Sequence, residues 1–211
     1  MKSIIWRTAN ILRIPRVALR CFRAPRILLY HGVTDRKTFP GIENYRQKHI
    51  PWEEFDWQLR FLKNHFQIVP LDNLIEARSL SGRGARGMAA ITFDDGYRNI
   101  FRVAWPFLKK YNFPFTIFFS TDFIDKKEPL WVDRLEYAIN FGKNKELEIA
   151  TTEEKIRKDE SIRNHAKLIP DGERRKIIQE VVENCGADLK NRLLEEPDYA
   201  PLEWAEIRQM L

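Results

Sequence analysis

The stretch MAAITFDDGYRNI, residues 88–100, decides the fold. An apolar run beginning at Met88 stops at Asp94-Asp95-Gly96, and helical spacing follows. Asp-Gly is a strong hairpin signal. A hairpin needs a second strand, however, and YRNIFRVAWPFLKKY carries the period of a helix. The two carboxylates therefore stand at the C-terminal end of a strand entering a βα loop, where α/β sheets and barrels collect their chemistry. Successive residues at a strand end point in different directions, so one carboxylate can hold a cation while the other faces substrate.

Working outward, RILLY (26–30) reads as a buried strand ending at His31-Gly32. PWEEFDWQLRFLKNH (51–65) is a helix: Pro51 suits its start, Glu53 and Glu54 its first turn, and Phe55, Leu59 and Leu62 make one apolar stripe. QIVPL (67–71) reads as a short strand, and residues 72–78 as a brief helix. Residues 97–111 are helical with a kink or restart at Pro106, and FTIFF (115–119) is another buried strand. This alternation predicts an α/β sheet or barrel with parallel strands. From Asp133 to residue 196 there are many charges, helical periodicity and no strand-like run, which marks a helical insertion. APLEWAEIRQML opens another helix at Pro201.

Composition excludes several classes. At 211 residues the chain can bury one core, or one core plus an insertion. Cys21 and Cys185 match no metal or redox spacing. The formal charge of +6 belongs to Lys2, Arg7, Arg13, Arg16, Arg20, Arg23 and Arg26; without them 29 basic residues face 30 acidic ones. A near-neutral body without an aromatic-interleaved basic patch argues against nucleic acid. The basic N-terminal segment suits a helix packed on its own domain with arginines in solvent, or one resting peripherally on an anionic membrane surface. It lacks the features of a secretory signal, so the expected location is cytoplasmic, at a membrane where this segment rests on one. GRGARG (82–87) has dinucleotide-fingerprint spacing but precedes a strand rather than following one, and reads as a flexible loop. His49 falls in a loop, His65 at a helix end and His165 among solvated charges; His31 alone stands at a strand end.

With these elements in place, TFDDG (92–96) resembles the first signature of NodB-type polysaccharide deacetylases. LLYHGV (28–33), ENYRQKHIPWEEFDWQLRFLKNHFQIVPLDNL (43–74), FFSTDFIDKKEPLWVDRLEYAI (118–139) and EWAEIRQML (203–211) are similar to further ordered blocks of that family. The resemblance implies the N-terminal half of a distorted (β/α) TIM-like barrel, with a helical insertion. It implies metal-dependent removal of an acetyl group from an N-acetylated sugar or polysaccharide, with Zn2+ as the expected divalent metal. Asp94 corresponds to the catalytic base and Asp95 to a metal ligand, and His31 and Tyr97 are expected at the substrate. The implied layout is a basic segment over 1–25, half a barrel over 26–132, the insertion over 133–198 and a return to the barrel over 199–211.

The family's second signature, two histidines spaced four apart on the strand after EWAEIRQML, is not in this sequence. One carboxylate does not replace them, since zinc sites use three protein ligands. The expectation is therefore a truncated deacetylase, inactive alone. The alternative is a catalytically silent binding or regulatory module that kept the first half of the fold and contacts a membrane or glycan through its basic N-terminus.

Overall fold

The structure, a computed structural model, describes residues 24–80, 84–143, 145–184, 189–196 and 198–211. The basic N-terminal segment up to Arg23, residues 82 and 83 of the glycine-containing loop, and both cysteines lie outside these residues.

The longest strand, β5 (Met88–Asp95), is the axis of the sheet, with β1 (Arg26–Tyr30), β4 (Gln67–Ile68) and β6 (Thr116–Phe119) all parallel to it. Ala89 pairs with both Arg26 and Ile68, and Thr92 with both Leu29 and Thr116. β1 therefore lies along one edge of β5, while β4 and β6 share the other. β4 is shorter than QIVPL suggests, because Pro70 has no N–H to donate; the ladder ends with Val69 N–H donating to Ala89 C=O, 3.0 Å. α2 (Leu71–Leu80) begins at once. A second, two-stranded parallel sheet joins β2 (Gly32–Thr34) to β3 (His49–Pro51). His49 thus lies in a strand and is buried, not in a loop.

One face of the main sheet is closed by helices. α1 (Trp52–His65) buries Phe55, Leu59 and Leu62, the i, i+4, i+7 stripe of its sequence, against Tyr30, Ile91 and Phe93. Ile100, Ala104 and Leu108 complete this core. They come from a π-helical turn (Ile100–Ala104) that runs into α3 (Trp105–Tyr111). Pro106 cannot bond the carbonyl of Arg102, and the turn before it widens so that Trp105 N–H reaches Ile100 C=O. The opposite face is less covered: Ile27 and Leu29 are each 56 % exposed and Phe118 is 53 % exposed. RILLY and FTIFF form strands as expected, but neither is buried on both faces.

From α4 (Thr121–Asp125) through α5 (Trp131–Phe141), α6 (Lys145–Ile149), α7 (Thr152–Ala166), α8 (Asp171–Asn184) and α9 (Leu189–Glu195) the described chain is helical. Thr151 and Glu154 cap α7 reciprocally. These helices make a second core around Leu135, Ala138, Ile139, Leu147, Ile178 and Leu193, joined by Ile42 and Tyr199 from outside the helical run. α10 (Trp204–Met210) returns to the first core through Ile207 and Met210. No helix among the described residues is long and apolar enough to cross a membrane.

Candidate active site

β5 and β1 run side by side and end together, which brings Asp94 and Asp95 beside His31. His31 Nε2 lies 3.8 Å from Asp95 Oδ2, and both side chains are partly exposed. Asp94 pairs with Phe118, and Asp95 with Phe119, across to β6. The backbone turns sharply at the end of the pair: Asp95 has φ +70° and Gly96 φ +90°. A non-glycine residue in this left-handed region costs about 1–3 kcal/mol and persists only where its surroundings fix it. Gly96 is required twice over, since a Cβ there would also lie 2.7 Å from Phe119 Cβ.

The turn is held from several sides. Ser120 N–H donates to Asp95 C=O at 3.2 Å, Leu202 N–H to Gly96 C=O at 2.9 Å, and Arg98 N–H to Ala200 C=O at 2.7 Å. Tyr97, expected at the substrate, is placed otherwise. It is 0 % exposed, and its hydroxyl donates to Asp133 Oδ2 at 2.7 Å, so it supports the turn from beneath. Asp133, only 1 % exposed, pairs through its other oxygen with Lys48, whose ammonium sits 4.6 Å from the centre of the Tyr97 ring. Sequence reasoning missed both Lys48 and Asp133. The one available signal was Asp133, Glu136 and Asn140, three polar residues on one stripe of the helix, beside the apolar stripe of Leu135, Ala138 and Ile139.

A second buried network lies alongside. Asn99 donates one amide hydrogen to Asp198 Oδ1 (3.1 Å) and faces His49 Nδ1 with the other (3.0 Å), while Thr34 Oγ1 donates to Asp198 Oδ2 (2.8 Å). Nδ1 of His49 must then accept, which places the ring proton on Nε2, a buried atom with no partner among the described residues. Burial, reinforced by the charge of Lys48, holds this imidazole well below its usual pKa, so it stays neutral.

Burial also raises the pKa of Asp95; His31 opposes this, and the Asp133 carboxylate adds to it. Asp95 is therefore a better base than a solvated aspartate. The Asp94 carbonyl accepts from Gly96 N–H at 2.9 Å, while its carboxylate has no hydrogen-bond partner among the described residues and can meet a ligand. For a metal, the donor set falls short. Asp95 and His31 converge, but no group of three or more His, Cys, Asp or Glu among the described residues is placed to hold an ion. A zinc site takes three protein ligands, so these residues do not by themselves make one.

Two solved structures resemble parts of the chain. A de-N-acetylase from Aggregatibacter actinomycetemcomitans is 26 % identical, with a TM-score of 0.35, over 44 % of this chain and 36 % of that one. IcaB from Ammonifex degensii is also 26 % identical, with a TM-score of 0.40, over 49 % of this chain and 41 % of that one. The chain thus matches less than half the length of either. No curated protein gives a significant match. The polysaccharide deacetylase family matches residues 81–166, which hold β5, the aspartate turn, β6 and the helices through α7. The similarity to polysaccharide deacetylases therefore falls on the stretch that carries the aspartate turn.

Proposed function

We propose that the Asp94–Asp95 turn is the reacting centre of an N-deacetylase that hydrolyses the acetamide C–N bond of an N-acetylated sugar or polysaccharide. The observation that carries this is the pair at the strand end: an Asp94 carboxylate without a hydrogen-bond partner among the described residues, and beside it Asp95 at positive φ with its carboxylate 3.8 Å from His31. Asp94 takes the proton of the water that attacks the acetamide carbonyl, and its return to the nitrogen as the tetrahedral adduct collapses breaks the C–N bond, releasing acetate and a free amine. His31 borders the same opening, 3.8 Å from Asp95, and is read as a contact to the sugar beside the acetamide. Asp95 is read as a ligand of a divalent ion, with zinc expected; Asp95 alone does not make the site. Such an ion would polarise the carbonyl when bound.

The sheet fits the first half of a (β/α) barrel. Its strands are parallel, helices α1 and α3 cover one face, and the other face keeps Ile27, Leu29 and Phe118 exposed. The incomplete donor set favours a second reading, a binding module that keeps the turn without the chemistry. The experiment is acetate release from N-acetylglucosamine oligomers in the presence of zinc, by the chain and by Asp94→Asn. Release by the chain that falls to background in Asp94→Asn supports the deacetylase. Oligomer binding with no acetate released by the chain supports the module, and release that persists in Asp94→Asn removes Asp94 as the base.

A further inference from the structure

We infer that Tyr97, Asp133 and Lys48 form a positioning lock, through which the first long helix of the helical segment, α5, holds the strained aspartate turn in place. The backbone bonds from Ser120 and Leu202 fix the carbonyls of Asp95 and Gly96. Tyr97 supplies a different constraint, because it is a side chain fully buried beneath the turn that reaches across to another core. Both oxygens of Asp133 are taken, one by the Tyr97 hydroxyl and the other by Lys48. The Lys48 ammonium lies over the rings of Tyr97 (4.6 Å) and Tyr199 (4.9 Å), so it is enclosed on several sides.

Buried charges tolerate one geometry, since removing either partner strands the other away from water. α5 therefore has one seat on the sheet. The rest of its polar stripe selects the same seat: Glu136 accepts from Asn44 N–H (3.1 Å) and Tyr199 OH (2.9 Å), and Asn140 accepts from Ile42 N–H (3.0 Å). A shift of α5 moves Asp133 and, through Tyr97, the two residues that precede it. Tyr97, Asp133 and Lys48 act through Asp95 rather than on substrate. That this serves deacetylation rests on the function proposed above, whereas the lock rests on geometry and is tested without any activity.

The test is amide hydrogen exchange by NMR on the whole chain, comparing Tyr97→Phe with Tyr45→Phe. The Tyr45 hydroxyl donates to Asp159 on α7 (2.6 Å), an equivalent bond that does not touch the turn. The lock predicts that the Ser120 and Leu202 amides exchange at least about tenfold faster in Tyr97→Phe, by less than about threefold in Tyr45→Phe, and that α1 is unchanged in both. Equal effects of the two variants, or no effect of Tyr97→Phe, overturn it. The unaltered chain gives an independent check if Tyr97→Phe fails to fold. The Ser120 and Leu202 amides should open with the same free energy as those of α5; α5 opening while they stay protected overturns the lock.

Discussion

The core beneath the sheet and the seam between sheet and helical segment are both largely buried, but they are built from opposite materials. Beneath the sheet, Phe55, Leu59, Tyr30, Phe93 and Leu108 meet by shape, with Tyr30 edge-on to Phe55 at 5.2 Å. At the seam, Lys48, His49, Asn99, Asp133, Glu136 and Asp198 meet by charge and hydrogen bond. Apolar packing accepts many similar side chains, whereas a buried polar network accepts one arrangement. The seam is also where the aspartate turn is anchored, so the exacting material lies next to the site that needs exact placement.

The largest effects should separate the two materials. Phe55→Ala should cost about 3–5 kcal/mol through the cavity it leaves. Asp133→Ala should cost about as much by stranding Lys48. Urea unfolding measures both. The contrast appears on joint replacement: Lys48→Met with Asp133→Leu and Tyr97→Phe should recover most of the loss, because an apolar set of similar volume leaves neither a charge nor the Tyr97 hydroxyl stranded. If the triple variant is as damaged as Asp133→Ala, the seam is not held as a charge pair.

Gly32→Ala should be next, at about 1–3 kcal/mol. Its new Cβ would stand 2.3 Å from both Asn99 Oδ1 and His49 Nδ1, side chains that are themselves buried and bonded. Thermal unfolding should show the loss, and a variant as stable as the parent would mean that this network can yield.

The smallest effect distinguishes the regions by pH. His49 is held below its ordinary value of 6.5, so the unfolded chain takes up a proton before the folded one as pH falls. Its contribution is complete above about pH 6.5 and is lost below it, at up to about 1.4 kcal/mol per pH unit. Burial raises the pKa of Glu136 and Asp198, which works in the other direction, because the folded state protonates them first as pH falls toward the ordinary carboxylate range. The His49 share is therefore read as the difference in slope between the chain and His49→Gln below pH 6.5. Parallel slopes would contradict a buried neutral imidazole.

The same division explains what the sequence disclosed. The stripe Phe55, Leu59, Leu62 and the stop at Asp94-Asp95-Gly96 are local signals, and each structure follows from its neighbours. RILLY showed its apolar character but not that Ile27 and Leu29 face outward, because an apolar run does not say how many faces are covered. His49 read as a loop residue because its strand is three residues long and pairs only with another of three. Lys48, Asp133 and Tyr97 were misread or missed for one reason. Their partners lie 85 and 36 residues away, and buried polar pairing has no period. The strand end that carries Asp94 and Asp95 was legible, and the side chains that support its turn were not.

The most direct test of the central claim, that chemistry is assembled at the Asp94–Asp95 turn, is a titration of the chain with N-acetylglucosamine oligomers followed by NMR. The account predicts that the His31 ring and the Asp95 and Gly96 amides shift together, while the signals of His65 and His165 stay still, and that the response disappears in Asp95→Ala. Shifts centred on other histidines, or unchanged in Asp95→Ala, would contradict it.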